Sequence, residues 1–437
     1  MLRLTCLFIT SLSCTTAFAQ QPKQRVFSSD IDRFWLAYDS VRTSSDSVCQ
    51  VARFTRLYLA PGTPGLRAFQ QVKGYTAAEW VSSIRRHPKF WNSIRPSTQL
   101  AKAGAQHLEP YLAKFQQLYP ALRPASIYFT IGALRSGGTT KDSLVLIGAE
   151  LVTGNPQTDI SEFTGKDHTF LASVFARTPI QNMVPLNVHE YVHTQEHGPG
   201  NTVLGQALYE GTCDLVAELV TGQKVQLPYM SYGPAHEAEL KERFRLELFT
   251  PNISNWFYNQ LDKAGHIPDL GYYMGYAIGK RYYQQARDKK QAIKDLIELD
   301  YTNDQVVEAF LTKTRYYPQP LDKAQVLAAY EQRRPVVTRF WPAPDSNGLL
   351  DAAVREIRIE FSVPMDPSGH STDYGTGGQA TFPVVKQPGF GADKRFYSYQ
   401  VALQPGHSYS FMLNGGGFQD EHGYPLKQYE VKFRTRE

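Results

Sequence analysis

Five residues, His189-Glu190-Tyr191-Val192-His193, restrict this chain more than any other stretch of it. The two histidines are four apart, so a helix puts both rings on one face, about 6 Å apart along its axis. Two imidazoles so placed can close on one small metal ion. Glu190 then stands beside that ion, where a base must sit to take a proton from water. The flanks agree with a helix. Pro185 suits a first turn, Leu186, Val188 and Val192 give an apolar side, and Gly198-Pro199-Gly200 reads as the stop.

A catalytic zinc takes three protein ligands and keeps one position open. A third histidine in the pattern His-x-x-Gly-x-x-His is excluded, because Glu196 and Pro199 occupy those places. The alternative is a carboxylate from the next helix, read from Asn201 to Gly222, with Asn201 or Thr202 as cap and Leu204, Ala207, Leu208, Leu215 and Leu219 on one side. Glu210 on that helix is the candidate third ligand for Zn²⁺. Gly211 beside it lets two helices approach closely. Asp214, one turn on, can accept the free ring N–H of a ligating histidine. Asp214 itself and Glu218 are the rivals for the ligand position.

The set His189, Glu190, His193, Glu210, Gly211 and Asp214 resembles the gluzincin clan of metallopeptidases. More narrowly, the region from about Ile31 to Tyr283 resembles a group of secreted bacterial "predicted zinc-dependent proteases" related to gliding-motility lipoproteins. That similarity also rests on Asp30-Ile31-Asp32-Arg33-Phe34-Trp35, on Ser136-Gly137-Gly138-Thr139-Thr140 and on Gly271-Tyr272-Tyr273-Met274-Gly275-Tyr276. The interval from His193 to Glu210 is slightly shorter than in the best-known gluzincins. The resemblance implies a zincin domain with an upper sheet ahead of the metal helix, whose edge strand pairs with an extended substrate. It also implies a Tyr or His group that hydrogen-bonds the oxyanion. Tyr272 and Tyr276, one turn apart, are the catalytic candidates for that role, ahead of His236 and His197.

A chain of 437 residues exceeds one ordinary domain. Arg3, the apolar run Leu4 to Cys14 and the small-x-small Ala17-Phe18-Ala19 read as a signal peptide over residues 1–19, so the expectation is an exported protein, periplasmic or extracellular. No stretch is long enough to span a bilayer comfortably, and Ser11-Leu12-Ser13 is a poor lipobox for Cys14. Cleavage leaves Cys49 and Cys213, which suit either one disulfide or two buried thiols. The net charge of +5 is spread along the chain without a basic block, which argues against dedicated nucleic-acid binding.

Residues 30–60 and 75–118 carry amphipathic helical spacing, with Pro61-Gly62 as a break. Ser126 to Ile131, Leu144 to Gly148 and Phe170 to Phe175 read as strands, and Gly137-Gly138 as a loop. Helices are expected at Ala235–Leu248, Ile253–Lys263, Tyr272–Arg287, Lys290–Leu299 and Asp304–Thr312. From Arg334 the pattern changes to short alternating strands, at Val336–Trp341, Glu356–Phe361, Tyr397–Leu403, Ser408–Leu413 and Tyr429–Thr435. Phe361-Ser362-Val363-Pro364-Met365-Asp366, Leu403-Gln404-Pro405-Gly406-His407-Ser408-Tyr409 and the closing Lys432-Phe433-Arg434-Thr435 resemble bacterial Ig-like domains. That likeness implies cell-envelope or surface association and no chemistry of its own.

The expectation is an α+β chain: a helix-rich, gluzincin-like zincin domain over 20–333, then an all-β Ig-like sandwich over 334–437. Its expected activity is zinc-dependent hydrolysis of a peptide or protein. Two rivals stand beside it. One is an envelope-binding or structural protein on an inactive zincin fold, which would have no need of Glu190. The other is a zinc hydrolase acting on a non-peptide amide.

Overall fold

The computed structural model describes residues 24–177, 179–259 and 266–437; the signal segment and Cys14 lie outside them. The architecture is α+β. The chain forms two compact units, one running to Ala113 and adding Pro124–Thr153, the other comprising Lys114–Arg123 and Gly154–Glu437.

In the first unit, helices at Ser29–Val41, Ser47–Phe54, Pro64–Lys73, Ala77–Arg86 and Pro88–Ala105 accompany a four-stranded sheet. Its strands are β1 (Val26–Phe27), β2 (Ser126–Thr130), β3 (Gly138–Lys141) and β4 (Leu144–Gly148), in the order β1-β2-β4-β3. β1, β2 and β4 are parallel and β3 is antiparallel to β4. The segment expected as a loop at Gly137-Gly138 leads straight into β3. Thr139 and Thr140, β-branched and suited to extended backbone, pair with Leu146 and Val145. Phe34, Phe54, Tyr58, Trp80 and Trp91 are fully buried in this unit. So is Glu150, whose carboxylate accepts the amides of Gly132 at 2.9 Å and Leu134 at 3.2 Å. Burial pushes its pKa up to about 7, with those amides opposing.

In the second unit, Phe170 to Phe175 is not the expected strand but part of the helix Gly165–Ala176. Its buried residues, Leu171 and Phe175, are four apart, the helical period rather than the strand period. The helix expected from Ile253 is one 3₁₀ turn, Ile253–Asn255, while residues 260–263 lie outside the described ones. Asn252 Oδ1 takes the Ser254 amide and hydroxyl, local bonds that compete with helix formation.

Four helices matter for the site: Met183–His193, Val203–Thr221, Pro228–Glu247 and Leu270–Gln285. The Val203–Thr221 helix starts at Thr202, whose hydroxyl accepts the Gly205 amide at 3.2 Å, and stops at Gly222 with φ 76°. It is buried along nearly its whole length and crosses the Leu270–Gln285 helix with no room for side chains at the contact. A Cβ on Gly275 would lie 1.6 Å from the Ala207 carbonyl oxygen, and one on Gly211 would lie 2.0 Å from the Tyr276 nitrogen. Backbone packed on backbone fixes the height of Glu210 relative to Tyr272.

After the helix Lys323–Arg333 come eight strands: β5 (Val337–Trp341), β6 (Leu349–Leu350), β7 (Glu356–Phe361), β8 (Thr372–Tyr374), β9 (Val384–Phe390), β10 (Phe396–Val401), β11 (Ser408–Leu413) and β12 (Tyr429–Thr435). They form two four-stranded sheets, ordered β5-β7-β10-β9 and β6-β12-β11-β8. Both sheets feed one apolar core that includes Ile357, Ile359, Tyr397, Tyr399, Phe411 and Val431. In β7 the inward residues alternate as Ile357, Ile359 and Phe361. The strand block is bonded to the helices that precede it. Arg334 donates to the carbonyls of Pro425 at 3.0 Å and Leu426 at 2.9 Å, and the Lys427 amide donates to the Pro335 carbonyl. Tyr330 packs on Tyr424, and Gly423, at φ 80°, leaves room for Asn255. Among the described residues, no helix is long and apolar enough to cross a membrane.

Candidate metal centre

The Met183–His193 helix ends at His193, short of the expected stop at Gly198. The amides of Thr194 and Gln195 turn back onto the carbonyls of Tyr191 and Val192. That tight exit brings Glu196 against His193, where its Oε2 lies 2.7 Å from Nδ1. On the other imidazole, Asp214 Oδ1 lies 2.8 Å from Nδ1 of His189, and Asp214 Oδ2 accepts the Tyr229 hydroxyl at 2.9 Å. A carboxylate at each Nδ1 makes that nitrogen the N–H donor. In the neutral ring each Nε2 is then left with its lone pair.

Those two Nε2 atoms face each other at 3.2 Å, and Glu210 Oε2 lies 3.4 Å from His189 Nε2 and 3.3 Å from His193 Nε2. Ligands about 2.1 Å from a tetrahedral zinc are separated from one another by about 3.4 Å. The three donor atoms therefore have the spacing of one face of a zinc tetrahedron. The other oxygen of Glu210 is already engaged, accepting from Gln206 Nε2 at 3.1 Å and from the Tyr258 hydroxyl at 3.0 Å. Only Oε2 is left to bond a metal.

His189, His193 and Cys213 also bring donor atoms within 4.8 Å of one another. In it Cys213 Sγ sits 3.3 Å from Nδ1 of His193, the nitrogen that Glu196 also faces. Burial pushes the Cys213 thiol well up, and it donates to Glu196 Oε2 at 3.4 Å. The His189–His193–Glu210 triangle could hold a metal with both Nδ1 contacts left in place.

The electrostatics are those of a closed polar cage. Burial alone would raise the Glu210 carboxyl, but His193 and His189 outweigh it and hold the group well below the usual range. Burial pushes His189 down, yet Asp214 and Glu210 prevail and lift it to about 9. Tyr209 stacks on the His193 ring at 4.3 Å, and Tyr272 stacks on His189 at 6.2 Å.

The structure thus gathers His189, His193, Glu210, Asp214 and Tyr272 in one place. Glu190 is half-buried on the same helix and makes no hydrogen bond or ion pair among the described residues. Tyr276 is not brought to the centre. Its hydroxyl donates to Glu218 and accepts from Lys280, which also removes Glu218 as a rival ligand. Asp214, the other rival, holds a ring N–H instead of joining the triangle. His236 stacks on Tyr232, and His197 is exposed. Cys49 and Cys213 are both free thiols. Sequence reasoning missed Glu196, Gln206 and Tyr258 as site residues. The first two carried a signal: Glu196 is three residues past His193, and Gln206 is one turn before Glu210 on the same face. Tyr258 carried none.

No family model matches the chain, and no curated protein does. Among solved structures, the S-layer protein rSbsC(31-844) is 10% identical at a TM-score of 0.18, over 93% of this chain and 45% of that one. Domains 1-6 of surface layer protein SbsC are 11% identical at a TM-score of 0.19, over 93% and 45%. The chain spans less than half the length of these two. At such TM-scores the likeness carries no argument about fold or function.

Proposed function

We propose that the protein is an exported zinc-dependent metallopeptidase of gluzincin type, with an Ig-like sandwich at its C-terminal end. The observation that carries the proposal is the triangle of His189 Nε2, His193 Nε2 and Glu210 Oε2, with edges of 3.2–3.4 Å. Zn²⁺ held there would acidify a water and polarise a carbonyl. The rest falls to the chain. Glu190 takes the proton from the attacking water and returns it to the leaving amine. Asp214 and Glu196 keep both Nδ1 protons in place, so both Nε2 lone pairs stay aimed inward. Gln206 and Tyr258 stop Glu210 from rotating. Tyr272, stacked on His189, or Tyr258, at the edge of Glu210, supplies the hydroxyl for the oxyanion. Two face-packed sheets with alternating inward residues support the Ig-like reading of residues 334–437. The leader-like residues 1–19 support export.

A binding protein on an inactive fold is disfavoured by Glu190, a half-buried carboxylate next to His189 in sequence whose side chain no described residue engages. The test is zinc content together with the Glu190→Gln variant. Wild-type protein should hold about one zinc per chain. Glu190→Gln should keep it while hydrolysis of a peptide library falls by about 10²- to 10⁴-fold. A wild-type chain that takes up no zinc, or a variant as active as wild type, would sink the proposal.

A further inference from the structure

A second cleft, of about 530 Å³, lies along the later turns of the Leu270–Gln285 helix. Lys224, Lys241, Lys280, Arg281 and Arg315 line it, with Glu237 as the lining carboxylate. These cations come from well-separated stretches of sequence, so folding concentrates a charge that the sequence spreads. With Glu218 counted as well, the cleft keeps a surplus of three positive charges, against +5 for the whole chain.

Both carboxylates are already engaged. Glu237 accepts the hydroxyls of Tyr273 at 2.7 Å and Tyr316 at 2.9 Å. Glu218 accepts the Tyr276 hydroxyl and pairs with Lys280 at 3.4 Å. Lys224, Arg281 and Arg315 form no ion pair among the described residues. Ring faces steady all three lysines, and of the three only Lys280 has an ion pair, with Glu218. Lys224 and Lys280 sit 5.9 and 4.9 Å from the centre of the Tyr276 ring, and Lys241 sits 4.6 Å from that of Tyr316. A ring face attracts a cation but leaves its full charge for a ligand. A side chain already held in place loses less freedom on binding.

Like charges crowded into one concavity raise the local potential and draw in anions. The tyrosine hydroxyls here are spent on Glu237 and Glu218, so the cleft reads charge rather than a pattern of sugar hydroxyls. A phosphate group brings nearly two charges and three acceptor oxygens in a small volume. Two linked phosphates match the surplus, whereas carboxylates would need three side chains in the same space. The guanidinium forks of Arg281 and Arg315 suit phosphate oxygens.

We propose that this cleft binds a small anion with two or more linked phosphate groups, an oligophosphate. The test is calorimetric titration of the full chain with tripolyphosphate at low salt. Wild type should bind one equivalent. Arg281→Glu and Lys224→Glu should each weaken binding by about ten- to a hundredfold, the loss for one charged hydrogen bond. Lys386→Glu, on exposed strand β9, should change nothing. Both cleft residues are exposed, and near-UV circular dichroism checks that each variant is folded. Because tripolyphosphate also chelates zinc, the titration is repeated on His193→Ala, where binding should persist whether or not the metal proposal holds. Absent binding in wild type, equal binding in the cleft variants, or loss of binding in His193→Ala would overturn the assignment. So would tetraglutamate binding as tightly as tripolyphosphate, which would make the cleft a site for acidic peptide.

Discussion

Glu150 and Glu210 are both removed from water, yet the two regions that hold them treat a carboxylate in opposite ways. Glu150, in the first unit, accepts the amides of Gly132 and Leu134, forms no ion pair among the described residues, and has its pKa pushed by burial up to about 7. Glu210 faces two imidazoles and is held far below the ordinary range, though burial works against it there too. The difference teaches that the amides at Glu150 do not offset its burial, whereas the imidazoles at Glu210 more than offset the same penalty. At Glu210 the offsetting charge is either protons on the histidines or one metal ion in their place. The Nδ1 carboxylates suit either occupant, because they make each Nε2 more basic toward a proton and toward a metal alike.

The largest effect should come from Glu210→Gln, which keeps the size and removes the charge. Zinc affinity, measured by chelator competition, should fall by more than the roughly 10- to 100-fold typical of an outer partner. Retention of near-wild-type affinity would move the third metal bond to another residue and break the comparison at its centre.

Glu150→Gln tests the other half. Its native pKa lies above the unfolded one, so its contribution to stability is fully present below about pH 4.5 and lost as pH rises through about 7. A rise to about 7 corresponds to roughly 3 kcal/mol. Urea denaturation of the wild type should lose about that much more stability between pH 4.5 and pH 8 than the variant does. Parallel pH profiles would show that Glu150 titrates like an exposed carboxyl.

Smaller effects belong to the partners behind the histidines. Asp214→Asn and Glu196→Gln should each lower zinc affinity by about 10- to 100-fold. If only Asp214 matters, Glu196 serves the turn after His193 and not the metal. The smallest effect is expected at Tyr276→Phe, because its hydroxyl serves Glu218 and Lys280. A hundredfold loss of kcat there, with zinc retained, would restore Tyr276 to the oxyanion.

What the sequence revealed was whatever regular spacing dictates. His189 and His193, or Glu210 and Asp214, share a helical face by arithmetic, and Gly211 announced a close helix crossing. The same arithmetic put Tyr276 on the face of Tyr272 but could not say that Glu218 would reach it. Glu196 carried only the spacing of three from His193, and its contact depends on the tight turn where the helix stops. Tyr258 is 67% exposed, sits at φ 55° in a turn, and reaches Glu210 across 48 residues. No periodicity encodes such a contact. Phe170 to Phe175 went the other way, a short apolar run that fits a strand or a helix until its neighbours are known.

The passage from the Lys323–Arg333 helix into β5 has a mechanical consequence. Residues 334–336 are all that separates the two, and Arg334 is clamped to the carbonyls of Pro425 and Leu426 on the sandwich. Such a link has no slack, so the sandwich does not act as a float on a string. If it seats on a surface, the helices that carry the candidate metal centre are held at a set bearing to that surface.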